Sequence, residues 1–367
     1  MDRFDIPRRT LLGPGPSALY PEVIEAIGQP VIGHLDPAFI TMMDEIKSLQ
    51  GHAFQTGTPW NFTISAPASA AMEAAMANLV ERGDEVVVCI NGVFGGRLAE
   101  MAQRMGARVE RVEVPWGEPV PPTALREALE RCEQPKLAAF VHAETSTGVA
   151  SDVAALAAVA REFGALSVVD AVTALGGVPL EMDAWGLDVV YSGSQKCLSC
   201  VPGVAPLLLS DRAWQVVSER TTPCVSWFLD LKLLSGYWSG GGKRAYHHTA
   251  PVNAMYAWHA ALSRLRDEGL EACIARHARL SARLGAGLAA LGLETVIDPS
   301  CALPQLTVVR IPDGIDDADV RNRLLQRHDL EIGAGLGAWA GRMWRLGLMG
   351  YSCREEIVDF ALAALAT

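Results

Sequence analysis

The chain has 367 residues, half of them apolar and a fifth charged, with a formal net charge of -11 at neutral pH. Those proportions exclude a disordered, collagenous or coiled-coil protein and leave room for two domains. The 31 basic residues are scattered, so the electrostatic footprint of a nucleic-acid binder is missing. The N-terminus has charge but no apolar run of the secretory kind. The most apolar stretch, 64–80, is interrupted by Pro67 and Glu73, so no membrane-spanning helix is expected. A soluble cytoplasmic protein is expected, with its eight cysteines as free thiols. Cys197 and Cys200 form one C-x-x-C, but no second pair completes a zinc site, and no metal is expected.

Between about residues 60 and 210, apolar runs at 86–90, 137–141, 166–169 and 188–191 alternate with amphipathic segments at 69–81, 93–105, 122–131 and 153–163. The runs are apolar on both faces, which suits strands buried within a parallel sheet. The segments between them have helical length and spacing, and Asp152 stands where it can cap the last. Such alternation predicts an α/β domain, its mostly parallel sheet sandwiched by helices. After Gly240-Gly-Gly242 the pattern changes. Helices at 252–265 and 270–291 lead to a strand at 306–310, a helix at 318–326, strands near 330–332 and 343–346, and a helix at 355–365. These make a smaller α+β domain. The expected division is an N-terminal arm (1–20), a large domain (21–255) and a small C-terminal domain (256–367).

Two glycine-rich stretches fail as nucleotide motifs. Gly236 to Lys243 ends in Gly-Lys, but its glycine spacing is off by one and Arg244 stands where a Walker loop needs Ser or Thr. Gly333-Ala-Gly335-Leu-Gly337 has its third glycine one place early for a dinucleotide fingerprint, and too little chain follows it. The informative pair is Asp170, at the carboxyl end of one buried strand, and Lys196, in a Ser/Gly-rich turn just past another. Open α/β sheets bind ligands at such strand ends. Either residue alone fits a helix cap or an ordinary loop lysine equally well. Together they are the pair that pyridoxal 5'-phosphate (PLP) chemistry requires: a lysine for the Schiff base and a carboxylate for the pyridinium nitrogen.

The blocks Leu11-Leu-Gly-Pro-Gly-Pro-Ser17, Ile90-Asn-Gly-Val-Phe-Gly95, Glu144-Thr-Ser-Thr-Gly-Val149, Val168-Val-Asp170, Tyr191-Ser-Gly-Ser-Gln-Lys196, Tyr246-His-His-Thr-Ala-Pro251 and Trp344-Arg-Leu-Gly-Leu-Met-Gly350 run almost end to end. With them the sequence resembles the class V, fold-type I PLP aminotransferases, in particular the alanine–glyoxylate and serine–pyruvate aminotransferases. The resemblance implies that Lys196 holds PLP and later acts as the general base, and that Asp170 pairs with the ring nitrogen. It implies that Phe94 stacks on the ring, that Thr145 lies beside it, and that Gln195, helped by Ser194, contacts the phosphate. Ala68 and Ser69 supply the phosphate turn, and Gly15 and Arg345 bind substrate, the arginine through its α-carboxylate. Tyr246 and Thr249 match residues that reach the phosphate of a neighbouring subunit, so a homodimer with shared active sites is expected.

One departure lies in the phosphate turn, where Pro67 has no N–H to donate. Pyridoxamine–pyruvate aminotransferase is a second relative, resembled at Asp36-Pro-Ala-Phe39 and Val112-Glu-Val-Pro115. That enzyme has an acidic residue where this chain has Pro67 and an additional arginine where it has Leu336, which argues against pyridoxamine as substrate. The expected activity is ping-pong transfer from a small L-amino acid such as alanine or serine to glyoxylate or pyruvate. A pyridoxamine–pyruvate-type aminotransferase, a lyase or desulfurase on this fold, and a non-catalytic PLP-binding regulator are the alternatives. The N-terminal GPGP segment, the Pro67 turn, Tyr237 and Trp238 from either subunit, and 335–339 are expected to shape the substrate pocket, and Lys243 or Arg244 to offer a second cation.

Overall fold

The computed structural model describes residues 5–238 and 244–367. Among the described residues the main sheet has seven strands, in the order Asn61–Ile64, Ala205–Leu209, Val189–Tyr191, Leu166–Asp170, Pro135–Val141, Glu85–Ile90, Arg108–Glu113. All neighbours are parallel except Ala205–Leu209, which runs against both of its own. The central strands read as unbroken apolar runs because both faces are covered: Val86, Val87, Val88 and Cys89 are all fully buried. The edge strand Arg108–Glu113 buries only Val112 and turns charged side chains outward, which blunts an unpaired edge.

The flanking helices follow from their sequences. Helix Val153–Glu162 begins where the Asp152 carboxylate accepts the Ala155 N–H at 3.0 Å. It buries Val153, Leu156, Val159 and Ala160 on one face and ends before Gly164, whose φ of 75° an L-residue adopts only with strain. Each such buried Val or Leu contributes about 1.5–3 kcal/mol relative to exposure. The long helix Pro37–Phe54 starts the same way, with Asp36 accepting from Ala38 N–H at 2.8 Å and Pro37 at the first helical position.

A second sheet, ordered Thr10–Leu12, Leu330–Ala334, Met343–Gly347, Leu306–Arg310, carries helices Leu270–Ala290, Asp317–His328 and Glu355–Leu365 on a separate core that includes Leu284, Leu324, Leu346 and Val358. Strand Thr10–Leu12 joins this sheet parallel to Leu330–Ala334 and so fastens the N-terminal arm to it. The division 1–20, 21–255 and 256–367 remains a proposal about folding units. Helix Val252–Glu268 runs across its second boundary and sets Met255, Trp258 and Leu262 in the core of the main sheet.

Candidate active site

Leu166–Asp170 and Val189–Tyr191 end side by side, with Asp170 in register with Tyr191. Their carboxyl ends open on a cavity of about 230 Å³ that Asp170, Lys196, Phe94, Thr145, Gln195 and Ser69 line, among others. Asp170 is 3 % exposed. Burial pushes its carboxyl up to about 6, against two donors: the Val172 N–H to Oδ1 and the Tyr191 hydroxyl to Oδ2, both at 2.9 Å.

Lys196 follows the strand in a tight turn that Ser17 fastens, its hydroxyl donating to the Lys196 carbonyl at 2.6 Å. Burial brings the Lys196 amine down to about 8, with Arg345 acting in the same direction and Asp170 against it. Its Nζ donates to the Pro14 carbonyl. Gly15 makes that approach possible: a Cβ there would stand 2.6 Å from Nζ, and the residue has a φ of 104°. The arm reaches this point between two further glycines, since a Cβ on Gly347 would overlap the Gly13 carbonyl and one on Gly333 the Pro14 ring.

Phe94 stands on the cavity at the start of helix Val93–Arg104. Glu144 holds that helix end in place. Its Oε2 accepts the Phe94 and Gly95 N–H groups at 3.0 and 3.4 Å, and its Oε1 the Ser146 N–H and hydroxyl at 3.0 and 2.5 Å. Burial pushes the Glu144 carboxyl up, opposed by these four donors. Gly92 leaves the room, because a Cβ on it would lie 2.5 Å from the Glu144 carboxyl carbon. The next residue, Thr145, gives its carbonyl to Arg345 Nη1 at 2.9 Å, and Ala334 gives its own to Nε at 2.8 Å. Arg345 is thereby fixed by backbone oxygens and has no carboxylate partner among the described residues. Burial lowers its pKa to about 10, which leaves it charged at neutral pH.

Pro67 is the N-cap of helix Ala68–Leu79, which has no side-chain cap; the Ala70 N–H donates to the Pro67 carbonyl at 2.8 Å, which leaves the Ala68 and Ser69 amides for an anion. Gln195 reaches this helix start across Gly193, and its buried Oε1 has no hydrogen-bond partner. An orphaned amide beside open helix amides fits a phosphate, since turning the amide presents Nε2 as a donor. Ser65, just before this turn, shares a 2.7 Å hydrogen bond with His248 Nε2.

Sequence reasoning and structure differ at several residues. Ser194 spends its hydroxyl on the Val201 carbonyl at 2.5 Å and does not line the cavity. Arg244 is buried and pairs with Asp44, so it is no second cation for substrate, and Lys243 lies outside the described residues. Tyr237 and Trp238 are buried in the main core rather than lining the cavity. The expectation for Tyr246 and Thr249 concerns a neighbouring subunit and remains a proposal; neither lines the cavity of its own chain, and Tyr246 is 63 % exposed. Three residues had no assigned role: Glu144, Tyr191 and Arg97, whose guanidinium lies 5.0 Å from the Phe94 ring centroid. The signal for Arg97 was its place one helical turn after Phe94; Glu144 and Tyr191 lay inside matched blocks.

This geometry has counterparts. Residues 54–360 match the family model for class V aminotransferases. The (S)-ureidoglycine–glyoxylate transaminase of Bacillus subtilis is 37 % identical over 98 % of this chain and 90 % of that protein. The alanine–glyoxylate aminotransferase of Callithrix jacchus is 39 % identical over 99 % and 88 %. A solved alanine–glyoxylate aminotransferase from Nostoc sp. superposes with a TM-score of 0.97 at 46 % identity, covering 100 % of this chain and 96 % of that one. Pyridoxamine–pyruvate aminotransferase from Mesorhizobium loti gives 0.91 at 29 %, covering 97 % and 90 %. The fold is that of a fold-type I, PLP-dependent transaminase. The chain belongs to the class V aminotransferases.

Proposed function

We propose that this aminotransferase takes the amino group of a small L-amino acid, alanine or serine first among them, and delivers it to glyoxylate in a ping-pong cycle. The observation that carries this reading is the Lys196–Asp170 pair in a cavity of about 230 Å³. Glyoxylate recurs in the names of the relatives from Bacillus subtilis and Callithrix jacchus, which supports it over pyruvate as acceptor.

Bound PLP supplies an aldehyde for the amine and a protonated ring that accepts the electron pair left when the Cα–H bond breaks. Lys196 Nζ is the group that holds it, then the base that takes the donor's Cα proton and the acid that returns one. With the cofactor bound, Asp170 would pair with its ring nitrogen and Phe94 would offer an aromatic face to the ring. Ala68, Ser69 and Gln195 would hold the phosphate, and Thr145 would stand as a hydroxyl neighbour of the ring. Arg345 grips the α-carboxylate with a fork that backbone carbonyls have already oriented. Gly15 lies against Lys196 and forms part of the substrate wall.

In this reading the working form is a cytoplasmic homodimer, each subunit lending Tyr246 and Thr249 to the phosphate of its partner. Support comes from the exposed Tyr246, Trp227 and Val225. Among the described residues no helix is long and apolar enough to cross a membrane. A desulfurase is disfavoured because burial pushes the thiols of Cys200 and Cys353 up to about 12 and 11, far from the reactive thiolate.

The test is to supply alanine or serine labelled at the amino nitrogen with glyoxylate and follow the label by mass spectrometry. Labelled glycine is expected. No labelled glycine from any small amino acid would refute the proposal.

A further inference from the structure

Asp170 meets two donors, and one of them comes from a different strand. Asp170 and Tyr191 are register partners at the ends of adjacent parallel strands, so their side chains emerge on the same face. The Tyr191 hydroxyl donates to Oδ2 at 2.9 Å, while the Val172 N–H takes Oδ1 at the same distance. Tyr191 is fully buried, and no other partner for its hydroxyl occurs among the described residues. The other ionisable groups near the carboxylate are Glu144, beyond strand Pro135–Val141, and Lys196, in the turn after Tyr191. Glu144 opposes a negative charge on Asp170, and Lys196 favours it. The two hydrogen bonds therefore carry most of the work of holding an ionised carboxylate in a dry site.

We propose that Tyr191 is a positioning residue of the transamination: its hydroxyl fixes the Asp170 carboxylate, in the ionised form, for pairing with the cofactor's ring nitrogen. This rests on the aminotransferase reading and adds a residue to it. Burial and the neighbouring carboxylate push the Tyr191 phenol well above its ordinary range, so it remains a proton donor throughout the working pH range. Loss of its hydrogen bond moves the Asp170 carboxyl further up, from a value already raised to about 6. Less of the protein is then ionised at neutral pH. A purely structural Tyr191, using Asp170 only to satisfy a buried hydroxyl, affects stability but not the ionisation of the site.

The experiment is a double-mutant cycle of Tyr191→Phe with Asp170→Asn, read as PLP affinity of the folded protein and, in the Asp170 background, as the pH profile of kcat/KM. In the Asp170 background Tyr191→Phe is expected to weaken PLP binding by about tenfold or more, the effect of one hydrogen bond to a charged group. The acid limb of the profile is expected to move up by about one pH unit. In the Asp170→Asn background the same substitution is expected to change PLP affinity little. An unchanged affinity and acid limb, or an equal loss in both backgrounds, overturns the proposal. The binding measurement needs no turnover, so it is decided separately from the choice of amino donor. Should Tyr191→Phe fail to fold, 3-fluorotyrosine at position 191 keeps the volume and strengthens the donor. It is expected to move the acid limb down, and an unmoved limb counts against the proposal.

Discussion

Lys196 has its amine brought down to about 8 by burial, so at pH 7 about one molecule in ten is neutral, against about one in three thousand for an exposed lysine. Only the neutral amine attacks the cofactor's aldehyde. PLP uptake by the cofactor-free protein, followed by stopped-flow absorbance, is therefore expected to rise about tenfold per pH unit below 8 and to level off above it. A rise continuing toward 10 would mean that the lysine is solvated. Arg345→Lys retains a charge but loses the fork and its two backbone tethers. The expectation is a fall in kcat/KM for the donor of about 10- to 100-fold, with PLP affinity unchanged. The identities of Lys196, Asp170 and Arg345 were legible because their chemistry is residue-specific. What they touch was not: the Pro14 carbonyl against Lys196 and the Tyr191 hydroxyl on Asp170 come from chain segments far apart or from sheet register.

The strands that read clearly from sequence were those buried on both faces, such as Glu85–Ile90 and Leu166–Asp170. Arg108–Glu113 was missed because an edge strand alternates charge with apolar residues, and Ala205–Leu209 because it contains Pro206. Helix Pro37–Phe54 had a readable start, Asp36 before Pro37, but a weak apolar stripe. The glycines of the arm's channel gave no periodic signal at all. Gly347→Ala tests that channel, because its Cβ would collide with the Gly13 carbonyl. A destabilisation of about 1–3 kcal/mol is expected from thermal unfolding, together with faster proteolysis of the first residues. Unchanged stability and an uncut arm would show that the chain passes elsewhere.

For the whole molecule, a shared active site makes a sharp prediction. In the proposed homodimer, Lys196→Ala and Tyr246→Ala are each expected to impair activity. If Tyr246 serves its partner's site, a hybrid of the two has one site with both residues intact. Mixing the variants through reversible denaturation is expected to restore about a quarter of wild-type activity, since about half the dimers are hybrids with one good site each. No recovery would place Tyr246 in its own subunit's site, or outside any site. The dimer was an inference from resemblance; a single chain's residue order has no physical mark for which exposed aromatics a second copy covers. The most direct measurement of the whole account is the visible spectrum of the purified protein with single amino acids and no acceptor. The band of the lysine-linked cofactor is expected to bleach with alanine or serine, to return on adding glyoxylate, and to be missing in Lys196→Ala. A band that no amino acid bleaches would contradict transamination at this site.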